Sequence, residues 1–153
     1  MLLANNIVFN RGNKKILNKV SLTLSPKKII HVTGNNGAGK TTLLKILTHI
    51  LEPNEGEVFW EGKNIKKNPF ILYKNLTYIM DKTSSNTNLT VYENILFWMK
   101  LFSSSRSLDE MESILELLSL YDYNNTLVSS LSYGEIKKLE LARLIIEQKK
   151  IWV

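Results

Sequence analysis

Gly34-Asn35-Asn36-Gly37-Ala38-Gly39-Lys40-Thr41 decides how this chain is read. The stretch fits G-x-x-x-x-G-K-[ST], the phosphate-binding loop. A triphosphate is cradled by backbone N–H groups that all turn inward, and Cβ atoms would block that approach. Glycines at 34, 37 and 39 remove them. Lys40 adds a point charge for the β- and γ-phosphates, and the Thr41 hydroxyl is placed to ligate Mg²⁺. Asn35, Asn36, Ala38 and Thr42 complete the nucleotide-binding segment. A loop that opens a helix also lends that helix's unpaired N–H groups and positive dipole end to the anion.

The flanking residues support this reading. Lys28-Ile29-Ile30-His31-Val32 predicts a short buried strand, and Thr42 to Leu51 predicts a helix with Leu43, Ile46, Leu47 and Ile50 on one face. A chance match in a glycine-bearing turn would not bring a strand before and a helix after. His31 and His49 read as structural, one on the strand into the loop and the other on the loop helix.

Composition bounds the rest. A length of 153 residues fits one domain, or two small subdomains around one core. No apolar run reaches the ~18 residues of a membrane span. The start, Met1-Leu2-Leu3-Ala4-Asn5-Asn6, has neither the pattern of a secretory signal nor that of a transit peptide. The absence of cysteine excludes disulfides and thiolate metal sites. The net charge of +6 is scattered over pairs such as Lys14-Lys15, Lys66-Lys67 and Lys137-Lys138. A solvated basic surface is the favoured reading, and attraction to an anionic membrane surface is the weaker one. Nucleic acid calls for a clustered stripe. Lysine far outnumbers arginine, and Asn and Ile are frequent. These are AT-rich codons, a hint of an organelle or endosymbiont genome.

Along the chain, Val20, Leu22 and Leu24 alternate with Ser21, Thr23 and Ser25, as in a half-buried strand. Residues 10–13 and 25–27 carry turn chemistry. Residues 57–60 read as a strand, 61–64 as its turn, and Leu76 to Met80 as another short strand. Three capping boxes then start helices: Thr90-x-x-Glu93, Ser107-x-x-Glu110 and Ser132-x-x-Glu135. The first helix carries Val91, Ile95, Trp98, Met99 and Phe102 on one face, read as core, with partner docking as the alternative. The second carries Met111, Leu115 and Leu118, after a polar stretch at 103–106. The third runs from about Tyr133 to Glu147, and residues 149–153 begin a further buried strand.

Leu131-Ser132-Tyr133-Gly134-Glu135, then Lys137-Lys138 and Leu141-Ala142-Arg143, resembles the ABC-transporter signature, L-S-G-G-Q followed by a basic pair and L-A-R. Helix capping alone explains Ser132 and Glu135, but not Gly134, the basic pair and the Leu-Ala-Arg run arriving together. Leu89-Thr90-Val91-Tyr92-Glu93-Asn94 is similar to the L-T-x-x-E-N element of the same ATPases. With the phosphate loop, Gly56-Glu57-Val58-Phe59-Trp60 and Ile95-x-Phe97-Trp98, the chain looks most like the ATP-binding subunits of cytochrome c maturation haem exporters.

The resemblance implies an α/β P-loop NTPase of ABC ATPase type. It would have a parallel-sheet core, an antiparallel β-subdomain and a small α-helical subdomain, and be C-terminally incomplete. Residues 1–153 would form one partial nucleotide-binding domain. Residues 1–75 would be the β-subdomain and phosphate-loop core, 76–130 the coupling loop and helical subdomain, and 131–153 the signature helix and the start of the Walker B strand. ATP and Mg²⁺ are the implied cofactors, and the reaction is ATP hydrolysis powering a membrane partner. Ser132, Tyr133, Gly134 and Glu135 would be the signature, of which Ser132 and Gly134 would meet the γ-phosphate held by a second copy. The implied partners are therefore a homodimeric second nucleotide-binding subunit and integral membrane transporter subunits, with no specific nucleic acid. The implied location is peripheral, on the inner face of a cytoplasmic or mitochondrial inner membrane.

Departures from the family pattern mark what to examine. Phe9 and Arg11 are the candidates for stacking on the base, where the family usually has an aromatic side chain. Lys82 falls at the coupling-loop glutamine, and lysine neither accepts a hydrogen bond nor ligates a metal. Tyr133 and Glu135 replace a glycine and a glutamine. The family's Mg²⁺ and water-activating carboxylates would follow Val153, so no catalytic residue is identified in this chain. Two other functions are therefore carried forward: a nucleotide-binding interaction module that does not hydrolyse, and a soluble ABC-fold ATPase acting on nucleic acid or ribosomes.

Overall fold

The computed structural model describes residues 1–102 and 107–153; the polar stretch expected at 103–106 lies outside the described residues. The chain divides into two compact units, Met1–Leu76 with Val153, and Thr77–Trp152.

The first unit is built on strands β1 (Leu2–Arg11), β2 (Lys14–Leu24), β3 (Glu55–Trp60) and β4 (Lys63–Asn64). They form an antiparallel sheet in the order β2-β1-β3-β4. The β1–β2 hairpin closes between Arg11 and Lys14, with Gly12 at φ 57°. Val20, Leu22 and Leu24 are half-buried while Ser21 and Thr23 face solvent, as the alternation predicts. Central β1 carries an irregularity at Asn6, which has φ 51° and donates its N–H to Ser21 Oγ at 2.8 Å. There the carbonyls of Asn5 and Asn6 lie so close to Gly56 that a Cβ would stand 2.5 Å from each. Leu2, Ile7, Leu17, Val58 and Trp60 are buried.

Helix α1 (Lys40–Leu47) and the single turn α2 (Phe70–Tyr73) complete this unit. Helix α1 ends earlier than the apolar spacing predicts. His49 turns left-handed at φ 57°, and the amides of Ile50 and Leu51 both bond back to the Lys45 carbonyl. Leu43, Ile46 and Leu47 are buried, whereas Ile50 lies past the stop and is exposed.

The strand expected at Lys28–Val32 is not formed. The segment is irregular, with Ile29 96% exposed. A buried parallel strand is held by ladder bonds from neighbours, and among the described residues no strand pairs with 28–32. A short apolar run alone does not supply that partner.

The second unit holds α3 (Val91–Leu101), α4 (Leu108–Leu117), α5 (Tyr133–Glu147) and two short 3₁₀ turns. All three capping boxes form, at Thr90–Glu93, Ser107–Glu110 and Ser132–Glu135. Val91, Ile95, Trp98 and Met99 of α3 pack with Met111 and Leu115 of α4 and Leu139, Ala142 and Ile146 of α5. The Trp98 face is therefore core. Strand β5 (Leu76–Thr77) is shorter than expected and pairs with β6 (Ile151–Trp152) in a two-stranded parallel sheet. Ile151 is buried and Trp152 exposed.

Candidate nucleotide-binding site

Among the described residues, helix α1 differs from the other three long helices at its first turn. Those begin with a Ser or Thr hydroxyl and a glutamate that satisfy the free amides. Helix α1 begins at Gly39, at φ 95°, with no side-chain cap and no acid in the first turn. Its leading N–H groups are left for an external acceptor, and no local carboxylate opposes an anion.

The loop before it curls through three glycines in conformations that other residues resist or fill. Gly37 has φ 82°, with open space where a Cβ would be. Gly39 also lies against β2: a Cβ there would meet Ile16 Cγ2 at 2.9 Å and Leu17 Cδ2 at 3.0 Å. Gly34, at φ 146°, supplies the carbonyl to which Lys40 Nζ donates at 2.7 Å, and the Asn35 carbonyl accepts from the same ammonium at 3.0 Å. The Ala38 amide closes the turn on the Asn35 carbonyl at 3.1 Å. Residues 33–38 are exposed, so an anion reaches the loop without displacing packed side chains.

Thr41 is exposed at the second position of α1, and Thr42 is buried. Among the described residues no cluster of three His, Asp or Glu could hold a metal. One hydroxyl is a fitting protein ligand for Mg²⁺ that arrives with a polyphosphate, because that ion keeps waters and takes phosphate oxygens. Phe9 faces Leu17 across the β1–β2 pair, on the same side of the sheet as the Leu17 side chain that lies under Gly39. Phe9 is half-buried, while Arg11 is exposed by the hairpin tip.

In the second unit, the signature residues form the start of α5. Ser132 is the N-cap. Its amide and hydroxyl both donate to Glu135 Oε2 at 2.7 Å, and the Glu135 amide returns to Ser132 Oγ at 3.3 Å. Bonds from the Ser132 hydroxyl and amide and from the Tyr123 hydroxyl hold the Glu135 carboxyl below its ordinary range. A hydroxyl has one proton, so Ser132 must leave Glu135 to donate to a phosphate. Gly134 is helical with open space around it. Tyr133 is 66% exposed, with the Lys137 ammonium 5.2 Å from its ring centroid.

Lys82 is exposed in the loop after β5, and residues around it are tied to α5. Lys137 Nζ donates to the carbonyls of Met80, at 3.0 Å, and Asp81. Beyond Lys82, Thr83, Ser84 and Ser85 converge on Glu140, a residue the sequence reading passed over. Glu140, Arg143 and Glu147 form an i, i+3, i+7 charged row on α5. That row could have raised the question, but its burial was not legible. Asn94 is fully buried. Its amide accepts from the Asn86 N–H at 2.8 Å and donates to the carbonyls of Asn86 and Thr90 at 3.0 and 2.9 Å, which gives the L-T-x-x-E-N element its physical role.

Residues 17–153 match the ABC transporter family. Among relatives, the chain is 31% identical over 145 residues to a cytochrome c biogenesis ATP-binding export protein, CcmA, of Legionella pneumophila (strain Lens), covering 95% of this chain and 71% of that protein. Against the CcmA of Escherichia coli (strain K12) it is 30% identical over 153 residues, covering 100% of this chain and 72% of the relative. A putative ABC transporter ATP-binding protein from Pyrococcus furiosus superposes with a TM-score of 0.85 at 22% identity, over 99% of this chain and 72% of that one. A solved ATP-binding cassette of an ABC transporter gives 0.81 at 28% identity, over 99% and 67%. These bacterial CcmA relatives lend no support to an organelle origin. The family match and the identity to CcmA proteins agree with the phosphate loop and signature, and the chain belongs to the ABC transporter family as an ATP-binding subunit of CcmA-like type.

Proposed function

We propose that this chain binds Mg·ATP on Gly34–Thr42 and serves as the nucleotide-driven subunit of a membrane exporter linked to cytochrome c maturation. The observation that carries the reading is the uncapped, acid-free start of α1 beneath a loop of left-handed glycines, with Lys40 held over it. Every other long helix among the described residues closes its own N-terminus. The likeness to CcmA proteins supports the cytochrome c assignment. No described helix is long and apolar enough to cross a membrane, and the reading assigns the membrane-spanning part to partner subunits.

In this reading Lys40 turns from the Gly34 and Asn35 carbonyls to the β- and γ-phosphates, and Thr41 ligates the metal. Ser132 and Gly134 meet the γ-phosphate of a second copy, and Lys82 lies at the surface coupled to the membrane subunits. The bound metal would supply charge neutralisation at the phosphates. The subunit would sit peripherally on the inner membrane face.

The test is direct. Mg·ATP binding is measured by calorimetry, and phosphate release is followed with and without membrane subunits of a cytochrome c maturation exporter. Binding with release stimulated by those subunits supports the whole reading. Binding with release at background selects a nucleotide-gated interaction module instead. No binding overturns both. Salt-sensitive binding of RNA or DNA would redirect the assignment to a nucleic-acid ATPase.

A further inference from the structure

Glu140 lies in the middle of α5 with no exposed surface. A buried carboxylate is costly unless its lone pairs are filled, and here they are. Oε1 accepts from Thr83 Oγ1 at 2.7 Å, the Ser84 amide at 2.9 Å, the Ser85 amide at 2.8 Å and Ser85 Oγ at 2.5 Å. Oε2 accepts from Ser84 Oγ at 2.7 Å. Arg143 stands 3.8 Å from Oε2 and donates to Ser84 Oγ at 2.9 Å, while Glu147 fixes the guanidinium at 2.8 Å. Glu147 in turn accepts from Thr77 Oγ1 at 2.8 Å. Ahead of Lys82, the same helix holds Met80 and Asp81 through Lys137, and the Tyr133 hydroxyl donates to Asp81 Oδ1 at 3.4 Å.

Lys82 thus sits between two anchors that both rise from α5, the helix that Ser132 caps. Two of the bonds to Glu140 come from consecutive backbone amides, which rotation of the Ser84 and Ser85 side chains cannot release. Charge-assisted bonds are also the strong ones. A displacement of the loop must therefore carry α5 with it or break the whole set.

We propose that Glu140 is a positioning residue that locks the Lys82 loop to the signature helix, so that a displacement at Lys82 is delivered to Ser132 and Gly134. The proposal rests on the nucleotide-subunit reading for its purpose, though not for its geometry.

The experiment is amide hydrogen exchange, read residue by residue by NMR across a denaturant series on the full chain. Wild type, Glu140→Gln and Glu140→Ala are compared. Amides that open together share one protection and one denaturant dependence. In wild type, Ser84 and Ser85 should open with Glu135 and Ile136, whose amides are bonded to Ser132. In Glu140→Ala the two loop amides should exchange about tenfold faster or more, and on a separate denaturant slope. Glu135 and Ile136, and Ile95 and Leu115 in the core, should hold. Glu140→Gln keeps Oε1 as acceptor and should stay within about threefold of wild type.

Independent opening of loop and helix in wild type would overturn the proposal. So would shared opening that survives in Glu140→Ala, or a Gln variant as loose as Ala. If Glu140→Ala does not fold, the paired variant Ser84→Ala/Ser85→Ala keeps Glu140 and removes two hydroxyl anchors. It should loosen the same two amides, and unchanged protection there would overturn the proposal. Failure to bind Mg·ATP in a separate titration would sink the nucleotide reading and leave this result intact.

Discussion

Lys40 Nζ donates to the Gly34 carbonyl at 2.7 Å, so the cation at the head of α1 closes the loop that precedes it. The bond is exposed and made to a neutral acceptor. A phosphate offers the same ammonium a charged one. The geometry keeps Lys40 beside the cradle and leaves the exchange favourable.

Lys40→Ala should therefore weaken Mg·ATP binding while barely touching the fold. A hydrogen bond to a charged group is worth about 1.5–3 kcal/mol, which is roughly a 10- to 150-fold loss of affinity. The urea midpoint should stay close to wild type, because the bonds lost are exposed. Calorimetry and a denaturation curve on the same preparation check both halves.

Phe9→Ala and Arg11→Ala separate the two candidates for the base. Register sets Phe9 opposite Leu17, which lies under Gly39. Phe9→Ala should cost about 1–3 kcal/mol of ATP affinity, the range for a base stacked on an aromatic ring, and leave inorganic triphosphate binding unchanged. Arg11→Ala should change ATP binding little. The reverse order would move the base to the hairpin tip.

Gly56 and Gly62 both have positive φ, but only Gly56 faces a crowded neighbour. A Cβ at 56 would stand 2.5 Å from the Asn5 and Asn6 carbonyls, while one at 62 meets nothing within 4 Å. Gly56→Ala should cost about 2 kcal/mol or more, and Gly62→Ala about 1 kcal/mol, the left-handed strain alone. Paired urea titrations decide it, and equal losses would refute the steric argument.

Asn94→Ala should destabilise the chain by about 1–3 kcal/mol, since it strands the Asn86 amide and two carbonyls beside a buried helix start. Asn94→Asp keeps the acceptor, loses the donors and should also be destabilising at neutral pH. Thermal unfolding of both variants is the measurement.

Acid should loosen the Glu140 clasp. Burial raises this group's pKa, but bonds from Ser85, Ser84 and Thr83 outweigh it, leaving the pKa below the ordinary 4.5. A folded pKa below the unfolded one means the contribution is complete above the unfolded value and is lost as pH falls through the folded value. Urea midpoints from about pH 6 to about pH 3 should therefore fall more steeply in wild type than in Glu140→Gln. Glu135, also shifted down, leaves a residual slope in the variant.

Local signals were legible because their physics is local. The glycine loop that opens α1, the three capping boxes and the alternation at 20–24 each depend on residues a few positions apart, and each appears in the structure as the sequence predicts. The apolar spacing of α3 likewise told which face is core. The end of α1 was misjudged because Ile50 fits the helical period, whereas His49 turning left-handed stops the helix.

Tertiary structure alone decided the rest. Residues 28–32 carry a strand's composition, but a parallel strand exists only where a neighbour supplies its ladder, and none of the described strands does so here. Glu140 reads from sequence as one more charge on a helix. It becomes an anchor because the fold returns Thr83, Ser84 and Ser85, more than fifty positions away, to its two oxygens. The sequence by itself determined the glycine loop and the helix starts, since those need only neighbouring residues. Partners brought from far along the chain determined which strands form and which charge is buried.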